Sequence, residues 1–137
     1  SLCPADQAYE WSLRWIDQLV QSTSSEIPII LYAKASEERF PLLSASKVQG
    51  VSLDQETNLS EARKAFPFPF ALQGNLDPAL MESDPVLVEK ETNKLLNDMQ
   101  GDPGHILNLG HGTRPQGKIE CVHAMTEAAR NFSLANN

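Results

Sequence analysis

The chain has 137 residues, 41% of them hydrophobic and 21% charged, which is the composition and length of one ordinary globular domain. A formal net charge of −7 excludes a general nucleic-acid binder, which needs a basic surface to displace counterions. No apolar run approaches the ~20 residues needed to cross a bilayer, and the two cysteines, Cys3 and Cys121, have neither zinc nor redox spacing, so a reducing compartment is expected.

The sequence opens on Ser1 and reaches a helix start at Pro4, which suggests a fragment, a processed product or a split subunit. The first helix is predicted from Pro4 to about Gln21, with Ala8, Trp11, Trp15, Ile16 and Leu19 as one apolar stripe. Ile27–Tyr32 reads as a β-branched parallel strand covered on both faces. Alternation suggests a helix over Ser36–Ser46, against which Pro41 stands as a breaker. Val48–Leu53 is a second strand that delivers Asp54 to its carboxyl end. Asn58 caps a helix over Leu59–Phe66. Pro67–Leu72 is expected to hold the third strand, and Gln73-Gly74-Asn75-Leu76-Asp77-Pro78 to be the loop after it. Asp77-Pro78 and Asp84-Pro85 each carry cap and first-turn chemistry, the second starting a long helix that Gly101 and Pro103 end near Met99. His105–Leu109 is a fourth short strand, stopped by Gly110-His111-Gly112, whose glycines are read as freeing the backbone. A last helix spans about Lys118–Phe132, and residues 133–137 read as a frayed tail. Asn58-Leu-Ser60 and Asn131-Phe-Ser133 fit the glycosylation pattern, which chance explains here.

A helix followed by four strand–helix units, with no hairpin signal, predicts an α/β fold with a parallel sheet and helical crossovers. Four such units are half of a (β/α)₈ TIM barrel, whose complete form needs about 250 residues. A partial barrel of that kind leaves strand edges and one apolar face open, so association with itself or with a missing half is expected. Such folds place chemistry at the carboxyl ends of the strands, where His111 lies.

Gln73-Gly74-Asn75-Leu76-Asp77-Pro78 followed by His105-Ile-Leu-Asn-Leu-Gly-His-Gly112 resembles the carboxyl-terminal half of uroporphyrinogen decarboxylase, nearest to its plant and cyanobacterial members. Leu2-Cys3-Pro4, Ile29-Ile-Leu-Tyr-Ala33, Val51-Ser-Leu-Asp54 and Glu61-Ala-Arg63 follow in the same order, so the resemblance covers essentially the whole chain. It implies a (β/α)₈ barrel, usually a homodimer, that removes carboxyl groups from the acetate side chains of uroporphyrinogen to give coproporphyrinogen, on the way to haem and chlorophyll, without metal or organic cofactor. It implies a soluble protein of plastid or cytoplasm.

By the same resemblance, His111 is the strand-end histidine of the cleft, assigned to substrate binding or proton transfer. Asn75 is a contact of the cleft wall, with satisfaction of loop backbone as the structural alternative. Asp54 matches a strand-end aspartate, although Gln55 stands where the family usually has Trp. Arg114 suits a substrate with eight carboxylates, because a guanidinium pairs carboxylates bidentately; the family places no arginine there, and a surface role is its alternative. Asp77 reads as a helix cap, and His105 and His123 as structural. The family's catalytic aspartate, substrate-binding arginines, cleft tyrosine and cleft serine belong upstream of Ser1, and the chain holds five arginines in all. The chain alone is therefore expected not to be a competent enzyme. The competing expectation is a non-catalytic interaction subunit of a larger assembly. Corrinoid methyltransferases share the barrel but bind zinc through His and Cys; Cys121 and His123, two apart on a helix, face away from each other and cannot chelate together. No metal site is expected.

Overall fold

The computed structural model describes Pro4, residues 7–34 and residues 37–135. Cys3 and the Leu2-Cys3 part of the resemblance lie outside the described residues. A turn of π-helix over Tyr9–Leu13 leads into α1 (Arg14–Ser22). Then follow β1 (Ile30–Ala33), α2 (Phe40–Ser44), β2 (Gly50–Leu53), α3 (Leu59–Ala65), β3 (Ala71–Leu76), α4 (Pro85–Asp98), β4 (His105–Leu109) and α5 (Ile119–Ala135). The strands form one sheet in the order β1-β2-β3-β4, and every neighbouring pair is parallel. Four parallel strands with intervening helices are therefore present, as the strand–helix alternation requires.

Several boundaries differ from the sequence reading, each for a physical reason. β1 starts at Ile30 because Pro28 has no N–H for the ladder, and the Ile29 N–H is taken by the Gln49 side chain at 2.8 Å. The segment after β1 forms a 3₁₀ turn at Glu37–Arg39 and then α2, where Pro41 occupies the first turn, the position that tolerates it. β3 runs over Ala71–Leu76, not Pro67–Leu72: Pro67 and Pro69 cannot donate, whereas Gln73, Gly74, Asn75 and Leu76 pair with Ile106, Leu107, Asn108 and Leu109. The residues expected as a loop are thus the working end of a strand. α5 continues through Ala135, so residues 133–135 are helical rather than a tail.

The caps behave as their chemistry dictates. Asn58 Oδ1 accepts from the Glu61 N–H at 3.1 Å, Asp77 Oδ1 from Ala79 at 2.8 Å and Asp84 Oδ1 from Val86 at 2.7 Å. Gly101, at φ 82°, supplies the left-handed residue that ends α4.

One face of the sheet is covered by helices. Val51, Leu53 and Leu72 pack there with Leu13, Phe40, Leu43, Ala62 and Phe66. A second cluster joins Leu76 and Leu109 to Met81, Val88 and Cys121 beneath α4 and α5. The other face is open: Ile30, Tyr32, Ile106 and Asn108 are exposed on it. The predicted stripe of the first helix is only partly inward. Leu13, Ile16 and Val20 face the core, whereas Trp11, Trp15 and Leu19 remain exposed.

At the amino end of the strands Arg63 fastens the crossovers. Its Nε donates to Asp102 Oδ2 at 2.6 Å, and its Nη1 to the carbonyls of Phe66 and Phe70 at 2.7 and 2.6 Å. The two side chains are only 20% and 13% exposed, so removing the guanidinium leaves a largely desolvated carboxylate with the Gly104 N–H as its remaining bond and takes the side-chain donor from the Phe66 and Phe70 carbonyls. Arg63→Ala should lower unfolding stability by about 2–4 kcal/mol, measured by urea denaturation with the far-ultraviolet spectrum of the folded state unchanged.

Candidate functional site

The open face carries polar side chains in a row set by strand register. Tyr32 pairs with Ser52, Ser52 with Gln73, and Gln73 with Ile106. Gln73 Nε2 donates to Ser52 Oγ at 3.0 Å, which ties β3 to β2 across this face. Above the row β4 ends, and the chain turns through Gly110, His111 and Gly112. Ile30, Tyr32, Ser52, Gln73, Asn108 and His111 line one hollow of about 400 Å³.

The His111 ring meets the Tyr32 ring edge-on, with centroids 5.9 Å apart and planes at 89°. Tyr32 stands on β1 and His111 two residues beyond β4, at opposite edges of the sheet. In a flat sheet β1 and β4 would lie roughly 14 Å apart, with their side chains parallel. The contact therefore requires the sheet to curl toward its open face, the curvature of a barrel wall. Tyr32, Ser52, Gln73 and Asn108 were not assigned to the site from the sequence. The alternation within Ile30–Ala33 could have put Tyr32 on a sheet face, but not opposite a residue that follows β4.

Asp54 and Asn75 sit behind this hollow. Asp54 is buried, and its Oδ1 accepts from the Glu56 N–H at 3.0 Å and from Thr57 Oγ1 at 3.3 Å, closing the turn after β2. Asn75 is also buried, and its Nδ2 donates to the carbonyls of Asp54 at 2.7 Å and Thr57 at 2.5 Å. The β2–α3 loop is thereby drawn over the end of β3 until it touches Gly110. A Cβ on Gly110 would lie 2.3 Å from the Gln55 nitrogen and 2.9 Å from the Asp54 carbonyl carbon. Gly110 is thus required by close backbone approach; its N–H donates to the Leu76 carbonyl at 2.7 Å. Gly112 has open space around it, and neither glycine has a positive φ, so backbone release is not their role.

Arg114 lies on the exposed segment beyond Gly112, 3.7 Å from Glu82 Oε1. His105 Nε2 lies 2.9 Å from the Gly74 carbonyl, at the far end of β4 from His111. His123 is exposed on α5, and Cys121 is buried two residues before it. Among the described residues no group of three His, Cys, Asp or Glu side chains could hold a metal ion, and no helix is long and apolar enough to cross a membrane. The arrangement offers one solvent-accessible imidazole, a phenol beside it, and neutral hydrogen-bonding groups on the curved wall below. That set can hold a polar planar ligand and pass a proton to it.

Comparison with known proteins gives three kinds of match. A family model described as uroporphyrinogen decarboxylase (URO-D) matches residues 1–132. The uroporphyrinogen decarboxylase of Protochlamydia amoebophila is 38% identical over 124 residues, which is 90% of this chain and 34% of that protein. Those of Ruthia magnifica and Coxiella burnetii are 33% and 34% identical, each covering 93% of this chain and 38% and 37% of their own length. The chain thus spans a little over a third of these relatives. A methyltransferase from Methanosarcina mazei superposes with a TM-score of 0.82 over 96% of this chain and 39% of its own, at 17% identity; that likeness is one of fold.

Replacing Asn75 by Leu should leave the Thr57 carbonyl unpaired and the Asp54 carbonyl with the Thr57 N–H alone, at a cost of about 1–3 kcal/mol. The same change should shift the imidazole resonances of His111, read by histidine-selective NMR, because the loop that backs Gly110 is released.

Proposed function

The chain belongs to the uroporphyrinogen decarboxylase family, and from that premise we propose that it supplies the carboxyl-terminal wall of a porphyrinogen-decarboxylating cleft, with His111 as the proton-handling group. The observation that carries this reading is the meeting of His111 with Tyr32 over a hollow floored by Ser52 and Gln73. A lone exposed histidine has many explanations. One held at the carboxyl rim of a curled parallel sheet, above a concave wall where Ser52 and Gln73 lie among apolar side chains, has the position that barrel enzymes use.

The chemistry proposed needs such a group. A pyrrole acetate loses carbon dioxide only after a ring carbon next to the side chain has been protonated, so that the electrons of the breaking carbon–carbon bond can enter the ring. The exocyclic methylene then takes a proton to become methyl, and the ring loses the first one. In sum, one acetate and one proton give one methyl and one carbon dioxide. An imidazole changes charge near neutral pH and can deliver or accept these protons when placed at the substrate edge. Arg114 enters the proposal as a contact to a peripheral carboxylate, displacing its 3.7 Å approach to Glu82. Asp54 and Asn75 enter it as groups that hold the rim under His111, reaching substrate only through that support.

The relatives carry more than half of their length outside the region matched here, and the open face of the sheet needs further strands to enclose a substrate. The whole activity is accordingly assigned to a complex with the remaining portion of a family barrel. A second reading, an interaction subunit without catalysis, draws on Glu37 and Glu38, both exposed just beyond β1 and ill suited to a polyanionic substrate.

Mixed with the amino-terminal portion of the Protochlamydia amoebophila relative and supplied with uroporphyrinogen, the chain should yield coproporphyrinogen. His111→Asn should lower turnover by about 10²-fold or more. A correctly assembled complex with no turnover would favour the interaction subunit, and unchanged turnover in the variant would remove His111 from the chemistry.

A further inference from the structure

Helix α3 has seven residues and α4 has fourteen, so α3 covers only part of the flank that α4 turns toward it. Asn58, Leu59 and Ser60 at the start of α3 share a small hollow with Leu95, Asp98 and Met99 near the end of α4. Toward the start of α4 the flank is uncovered, and a groove of about 460 Å³ opens between α4 and the segment Asn75–Leu80. The groove borders the end of β3, an inner strand, so it lies among elements that this chain supplies itself.

The lining has two kinds of chemistry. Leu76, Leu80, Leu87 and Leu95 give it apolar surface. Asp77 on one wall and Glu91 and Asp98 on the other bring three carboxylates to it, and Lys94 is the one cation of the lining. Glu91, Lys94 and Asp98 form no ion pair among the described residues. The carboxylates are too dispersed to hold a metal ion. Along α4, Leu87, Glu91, Leu95 and Asp98 alternate apolar and acidic on one stripe, and the two acids stand about 10.5 Å apart along the axis.

A second observation marks the groove as a place for a ligand. Asn75 is only 8% exposed and lines both hollows. Its Nδ2 donates to the Asp54 and Thr57 carbonyls, which can only accept, so the amide orientation is fixed and its other end is the oxygen. Oδ1 accepts no hydrogen bond among the described residues and, unlike Thr92 Oγ1, is not sealed in the interior. It opens on the groove. A buried amide oxygen beside three carboxylates suits a ligand that donates N–H bonds and carries positive charge. The leucines between the acids suit methylene groups between the charges.

We propose that this groove binds a linear aliphatic polyamine, with ammonium groups at Asp77, Glu91 and Asp98, methylene runs on the leucines, and one N–H donated to Asn75 Oδ1. The inference does not rest on the catalytic reading, yet it links the groove to the rim. A donor on Oδ1 polarises the amide and strengthens the Nδ2 bonds that hold the β2–α3 loop against Gly110.

The probe is spermidine, titrated into the chain at constant ionic strength and followed by calorimetry and by NMR of the side-chain amides. The Asn75 amide, assigned through its own Cβ, should shift to saturation, and added salt should weaken binding. Glu91→Gln combined with Asp98→Asn should weaken binding by about 10-fold. The circular dichroism of that variant should be unchanged, because neither carboxylate has an ion-pair partner to lose. Lys94→Gln should tighten binding by about 2–5-fold, since it removes a like charge from the lining. Magnesium at the same ionic strength should leave the Asn75 amide in place. The inference is overturned if spermidine leaves that resonance unmoved, if the double variant binds as tightly, or if Lys94→Gln weakens binding. It is equally overturned if magnesium reproduces the shift, because the groove would then be no more than a diffuse acidic surface.

Discussion

One side-chain amide holds the candidate site together. Asn75 spends both N–H bonds of its amide on the Asp54 and Thr57 carbonyls, and this draws the β2–α3 loop across the end of β3. The loop has nowhere to lie except against the chain leaving β4, so position 110 must be glycine. His111 follows directly, and its direction is set by backbone that is clamped on one side and bonded to Leu76 on the other. Each donor and acceptor in this cluster is buried or half-buried, so each would cost free energy if left unmade. The cluster thus fixes the rim by mutual satisfaction of polar groups, while the hydrophobic clusters beneath fix the sheet on which the rim stands.

The second constraint is the curl of the sheet. Tyr32 on β1 and His111 just beyond β4 come from opposite edges of the sheet and still touch. At the other end of the strands, Gly50 allows the required approach, since a Cβ there would lie 2.7 Å from the Ala71 Cβ and oxygen. Curl, a helix-covered convex face and an uncovered concave face are one geometric fact. The concave side of such a wall is where a substrate would sit, and the strand edges at either end are where the rest of a barrel would attach.

Much of this was legible in the sequence because it is local. Asn58, Asp77 and Asp84 announce helix starts, Gly101 a helix stop, and His105–Leu109 a strand, since each depends on a few neighbouring residues. The extent of β3 was not legible. Gln73-Gly74-Asn75 looks like turn chemistry, and only pairing with β4, some thirty residues later, makes it a strand. The face of Trp11 and Trp15 was misjudged for a related reason. Their spacing is helical and their side chains are apolar, but spacing cannot distinguish a face turned to this chain's own core from one turned to another unit. Tyr32 escaped notice because its meeting with His111 depends on the curvature of four strands. Asn75 and Asp54, expected from the resemblance as contacts of the cleft, are both buried and hydrogen-bonded to the β2–α3 loop.

The proposed function would have His111 face a tetrapyrrole. The chain contains three histidines, and the other two are internal controls: His105 is held against the Gly74 carbonyl and His123 lies on α5. Histidine-selective NMR of the assembled complex, titrated with the oxidised product coproporphyrin, should shift the His111 resonances while those of His105 and His123 stay in place. Resonances of His111 that stay fixed while the porphyrin binds elsewhere would contradict the account.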